Sequence, residues 1–177
     1  MGNKQNLILI ILIQAGILVG MLVKAMYPLM AGKEVILPVS GRDPRDLFRG
    51  NYVDLQCWIE SIPLDSVQNH LPKEKMLPKE TEVFVELRSN GKWHEAVAVY
   101  PEPQPGKLCI KGWLRNAEIM PTESYLEVRY GLDSYFAPKE MAIAIEDTLR
   151  NRGRDSVLTI TVRVTESGAS RIEKLNF

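Results

Sequence analysis

The run from Leu7 to Val23 reads LILIILIQAGILVGMLV, and Gln14 is its only polar interruption. As a helix rising about 1.5 Å per residue it spans roughly 26 Å, near the lower limit for crossing a bilayer. A soluble helix carries a polar face, and this run has none, so hydrocarbon is the environment that accepts it. Lys24 follows at once and can extend the span by snorkelling, Tyr27 suits the membrane interface, and Pro28 disfavours further helix. These features divide the chain into a short tail (1–6), a transmembrane anchor that partners the lipid bilayer through residues 7–27, and a head domain over 34–177. A cleaved signal peptide is the competing reading, because Val23 and Ala25 are small residues at the −3 and −1 positions of a cut after Ala25. The apolar stretch, however, exceeds the roughly 7–15 residues usual for such a peptide. Lys4 before the helix and Lys24 and Lys33 after it nearly balance the positive-inside rule. A short tail ahead of a large domain favours leaving the tail in the cytoplasm, with the domain on the extracytoplasmic side of a single-pass protein.

The rest of the chain is built to close a core, not to grip a polyanion. Twenty-two basic and 22 acidic residues leave no net charge. Nucleic-acid partners, which need a basic face against phosphates, are therefore not expected. Two cysteines, Cys57 and Cys109, are too few for a disulfide-stapled scaffold.

After residue 33 the pattern changes from continuous to alternating. Glu34 to Val39 is a strand candidate. Tyr52 to Ile59 sets Val53, Leu55, Cys57 and Ile59 against polar or amphipathic neighbours, the mark of a strand with one buried face. Leu64 to Pro78 reads as a proline-rich loop. Glu82 to Leu87 and Trp93 to Tyr100 flank Ser89-Asn90-Gly91-Lys92, a strong short-range hairpin signal. Lys107 to Leu114, Ser124 to Tyr130, Val157 to Val164 and Arg171 to Leu175 are further strands. Pro138 to Asn151 reads as a helix, with Met141, Ile145 and Leu149 on one stripe. The fold class that follows is mainly β (α+β): an antiparallel sandwich or partial barrel with one covering helix, preceded by a single N-terminal transmembrane helix.

One segment is punctuated unusually well. In Asp43-Pro44-Arg45-Asp46-Leu47-Phe48-Arg49-Gly50, Asp43 can cap a short helix and Pro44 suits its first position. Asp46 and Arg49 complement the helix dipole, and Gly50 suits the left-handed residue that ends it. The expected product is a rigid corner feeding the strand at Tyr52. DPRDLFRG followed by Gly50-Asn51-Tyr52-Val53-Asp54-Leu55-Gln56-Cys57 resembles the GDYXXLXY family of bacterial membrane-anchored proteins. Arg129-Tyr130-Gly131-Leu132-Asp133-Ser134-Tyr135-Phe136, with the helix after it, is similar as well, so the resemblance covers nearly the whole chain. Two positions depart from the pattern: Asn51 stands for the family's Asp and Cys57 for its final Tyr. The resemblance implies a domain outside the cytoplasm at a bacterial cytoplasmic (inner) membrane, beside polytopic membrane proteins, and implies no established activity.

Each candidate residue admits a chemical and a structural role. A signal-peptidase type of protease also places a short turn and a Gly-Asp pair ahead of a strand on a tethered β domain. Aligning Leu47 to Gly50 with that turn puts Arg42 where the nucleophilic serine belongs, with Ser40 two residues off and no matched lysine. His70 and His94, the only histidines, have no metal-type spacing and read as solvated. No metal or cofactor is expected. Cys57 and Cys109 are either a disulfide or two free thiols, and their strand parities clash. Asp43, Arg45, Asp46 and Arg49 read first as local caps and ion pairs. The functional alternative is a docking corner made of Asp43, Arg45, Asp46, Arg49, Gly50, Asn51, Tyr52 and Leu55, joined by Arg129, Tyr130, Asp133 and Tyr135 if their strand neighbours Tyr52. The expectation is an accessory domain that docks to a polytopic membrane protein; the alternative is an envelope hydrolase with an unrecognised site.

Overall fold

The computed structural model describes residues 2–41, 52–72, 76–115, 124–136 and 157–176. The expected corner at 43–51 and the expected helix at 138–151 lie outside the described residues.

Helix α1 runs from Gly2 to Ala31, and its stretch Asn6–Ala31 is long and apolar enough to cross a membrane, with none of its apolar 18-residue window buried against protein. It is longer at both ends than the sequence suggests: most of the tail is helical, and Pro28 does not stop it. Proline removes one N–H and crowds the preceding turn, but here that turn is supported from outside. Pro28 is buried, and the Arg171 guanidinium donates to the Ala25 carbonyl at 3.1 Å. The Gly32 N–H then donates to the Pro28 carbonyl at 2.9 Å, closing the last turn.

Strands β1 (Lys33–Gly41), β2 (Tyr52–Cys57), β9 (Ser134–Phe136), β10 (Leu158–Val164) and β11 (Ser170–Asn176) form a five-stranded sheet in the order β11-β10-β1-β2-β9. Strands β3 (Ser61–Pro63), β4 (Gln68–Asn69), β5 (Glu82–Ser89), β6 (His94–Tyr100), β7 (Cys109–Leu114) and β8 (Tyr125–Arg129) form a six-stranded sheet in the order β3-β8-β7-β5-β6-β4. The chain is thus mainly β, with two curled sheets and one N-terminal helix able to span a membrane. Alternation decides which residues go inside. Val35, Leu37 and Val39 of β1, Val83, Val85 and Leu87 of β5, and Leu158, Ile160, Val162 and Val164 of β10 share one core. At the expected hairpin, the Asn90 carboxamide accepts the N–H groups of Lys92 and Trp93, both at 3.0 Å, and Gly91 takes φ +94°.

The sheets are joined by a bent two-stranded ribbon. Tyr52 pairs with Phe136 in one sheet, and Ser61 pairs with Glu127 in the other. Between them the Leu55 N–H donates to the Asp133 carbonyl at 2.9 Å. The register never slips: β2 continues through a 3-10 turn (Trp58–Glu60) into β3, while β8 continues into β9 alongside it. The bend is held from within. The Tyr130 hydroxyl donates to the Ile59 carbonyl at 3.0 Å, and the Glu60 carboxylate accepts from the Cys57 N–H at 3.2 Å and from Arg115 at 3.1 Å. Gly112 makes room beneath, since a Cβ there would overlap Val128 Cγ1 and come within 3.0 Å of the Tyr130 ring.

Two open strand edges are filled by other parts of the chain. β2 covers β1 only from Val39 onward. On the uncovered half, the Ile36 N–H donates to His94 Nδ1 at 3.1 Å, and Pro38, two residues on, has no N–H to satisfy. His94 is therefore a structural acceptor and not the solvated side chain expected. Likewise β8 covers β7 only at Trp113 and Leu114, and the Lys111 N–H donates to the Gly168 carbonyl in the β10–β11 turn at 2.9 Å.

Candidate functional site

The motif strand β2 and the second family-like segment lie side by side, with Val53 opposite Tyr135 and Asp54 opposite Ser134. Two of the residues expected in the docking corner face inward. Leu55 (1% exposed) is core, and Tyr130 (5% exposed) is buried beneath the bend; neither can meet a partner, because the alternation that buries their neighbours buries them too. Burial pushes the Tyr130 phenol well above its ordinary range, helped by the nearby Cys57 and Glu60. Arg129 is exposed and pairs with Glu80 at 2.8 Å. Asp133 is half-buried, with its carbonyl committed to Leu55. Tyr52 lies opposite Phe136. Asp43, Arg45, Asp46, Arg49, Gly50 and Asn51 lie outside the described residues.

The cysteines are two free, buried thiols. Cys57 belongs to the core between the sheets, whereas Cys109 joins Phe84, Ala98 and Tyr100 in a separate cluster. The clash of strand parity seen in the sequence is real, and no disulfide links them. Burial raises the Cys57 thiol far above its ordinary value, reinforced by Glu60 and Asp133, and burial also raises Cys109. Both are protonated at neutral pH and poor nucleophiles.

The outward face of the second sheet carries a polar clasp that strand-by-strand reading misses. Lys107 Nζ lies 2.6 Å from the Tyr100 hydroxyl and 2.9 Å from Glu86 Oε2, and the Tyr100 hydroxyl donates to the same carboxylate at 3.1 Å. The His70 ring stacks on Tyr100 with centroids 4.6 Å apart. Burial pushes the Glu86 carboxyl up, but hydrogen bonds from Lys107 and Tyr100 outweigh it and hold the group below its usual range. The bonds to Tyr100 and Glu86 raise Lys107, so it stays an ammonium, not a nucleophilic amine. The Asn-Gly turn alone could not have found the clasp: it pairs Ser89 with His94 and Leu87 with Ala96, and a bulge between Glu86 and Leu87 then shifts the register by one to set Phe84 opposite Tyr100 and Glu86 opposite Ala98.

Two of the concavities among the described residues bear on the site. One is an apolar groove of about 420 Å³ between Pro38, Pro63, Val67 and Ala96, flanked by Trp58 and Trp93, whose rings meet edge to face with centroids 6.0 Å apart. Trp58 directly follows the motif strand and is 51% exposed. The other is a cleft of about 780 Å³ where α1 meets the domain, with Met21, Lys24, Ala25 and Pro28 on one wall. Tyr135 and Arg171 face them from the domain.

At the junction itself, Gly32 is the single residue between α1 and β1. A Cβ there would overlap the Pro28 carbonyl oxygen and come within 2.9 Å of the Arg163 backbone, so glycine alone permits this close approach.

No curated protein and no solved structure matches the chain. A family model described as "GDYXXLXY protein" matches residues 14–175, spanning the second half of the apolar helix and nearly all of the β domain. On that match, the chain belongs to the GDYXXLXY family.

Proposed function

We propose that this protein is a single-pass, membrane-anchored accessory domain that docks to a polytopic membrane protein on the extracytoplasmic side of a bacterial cytoplasmic membrane. The observation that carries this reading is the junction. α1 passes into β1 through Gly32 alone, with Pro28 buried and Arg171 bonded to the helix. A head that works on solutes needs no fixed angle to the bilayer. A head that meets a neighbour in the same membrane gains from one, because less orientational freedom is lost on binding. The exposed Trp58 beside its apolar groove is the kind of side chain that anchors such contacts.

The test compares the full chain with a variant carrying a six-residue Gly-Ser insertion between Gly32 and Lys33. Both are expressed in a bacterial membrane and crosslinked before solubilisation in mild detergent. The expected result is a membrane protein captured by the native chain and reduced roughly tenfold or more by the flexible insertion. Equal capture by both would remove the role given to the junction, and capture by neither would remove the docking function. Protease accessibility in intact cells reports the side of the membrane.

A further inference from the structure

The cleft between α1 and the domain is graded along the helix. Its floor begins at Met21, inside the apolar run, and rises past Lys24, Ala25 and Pro28, where a bilayer's hydrocarbon gives way to headgroups. The facing wall supplies Ser134, Tyr135, Ser170, Arg171 and Ile172. Two cations therefore converge at headgroup depth with hydroxyl-bearing side chains beside them, and none of the described residues that line the cleft is acidic.

Arg171 is held in place. One of its terminal nitrogens donates to the Ala25 carbonyl at 3.1 Å, which leaves its other N–H groups to donate elsewhere. Lys24 has no ion-pair partner among the described residues. The domain's other arginine near the junction, Arg163, is by contrast already paired with Glu34 and Glu173.

We infer that this cleft is a binding site for one anionic phospholipid, with the phosphate held between Lys24 and Arg171 and an acyl chain running down past Met21. Arginine can give a phosphate two parallel hydrogen bonds and lysine a point charge, a pairing suited to a phosphodiester. Tyrosine at this depth offers a polar tip to the headgroup and an apolar ring to the chain. The site is distinct from partner docking and would stand if that function failed.

The test is native mass spectrometry of the full chain in mild detergent, titrated with dioleoyl-phosphatidylglycerol or dioleoyl-phosphatidylcholine. The expected result is one phosphatidylglycerol retained in preference to phosphatidylcholine. Lys24→Gln leaves the Arg171 bond to the helix intact and is expected to weaken retention roughly fivefold; adding Arg171→Gln is expected to weaken it by about a further fivefold. Equal retention of the two lipids, or retention unchanged in Lys24→Gln, would overturn the site. Displacement of the lipid by millimolar inorganic phosphate would show that the cleft takes free phosphate, which also overturns it. Circular dichroism of each variant checks that the β domain remains folded, and Lys24→Gln, remote from the core, keeps the test decisive if the double variant does not fold.

Discussion

The Tyr130 hydroxyl donates to the carbonyl of Ile59 at 3.0 Å, across a bend where both strands of one ribbon leave the first sheet and enter the second. The two residues are 71 positions apart in the chain, and their bond is buried. The bend turns two small sheets into one closed core, so its parts are where single substitutions should be felt most.

Tyr130→Phe keeps the ring and removes only the donor, leaving the Ile59 carbonyl buried without it. The expected cost is about 1–3 kcal/mol, read from urea or thermal unfolding. A shift within error would mean that the bond does not hold the bend.

Gly112→Ala should cost about 1–3 kcal/mol by overpacking, because the new methyl meets Val128 and the Tyr130 ring in a core that cannot expand. Val128→Ala alone is also destabilising, through lost burial. The double variant should recover part of the loss, and the double-mutant cycle measures the coupling.

His94→Ala removes the acceptor of the Ile36 N–H on the uncovered half of β1. Exchange of that one amide should accelerate by about tenfold, with a stability loss of about 1 kcal/mol. Unchanged exchange at Ile36 would show that water or another group serves that edge.

Acid should weaken the clasp on the second sheet. The Glu86 carboxyl sits below its ordinary range when folded. Its contribution is therefore complete above the usual glutamate value, near about 4.3, and is lost as pH falls through the lowered folded value. Glu86→Gln should flatten the stability profile across that window and leave the slope around neutral pH unchanged. An identical acid slope in the variant would rule out Glu86 as a source.

Much of this fold is legible in the residues because it is written locally. The switch from a continuous apolar run to period-two alternation separates α1 from the sheets, and Asn90-Gly91 marks its hairpin. What is not local is not legible. The ribbon's bend depends on a register between residues some seventy positions apart, and β3 and β9 are three-residue strands that exist only because each has the other half of that ribbon to pair with. The candidate site shows the same division. Sequence proximity joins Leu55 and Tyr130 to the motif, but side-chain parity sends both inward. The cleft at Lys24 and Arg171 joins chain positions that no motif connects.

The most direct test of the account is alkaline carbonate extraction of membranes from cells producing the full chain, with the retained protein weighed by mass spectrometry. The account predicts that the chain stays in the membrane pellet at its full mass, with α1 still attached and only detergent releasing it. A chain freed by carbonate, or one recovered cut after Ala25, would contradict it.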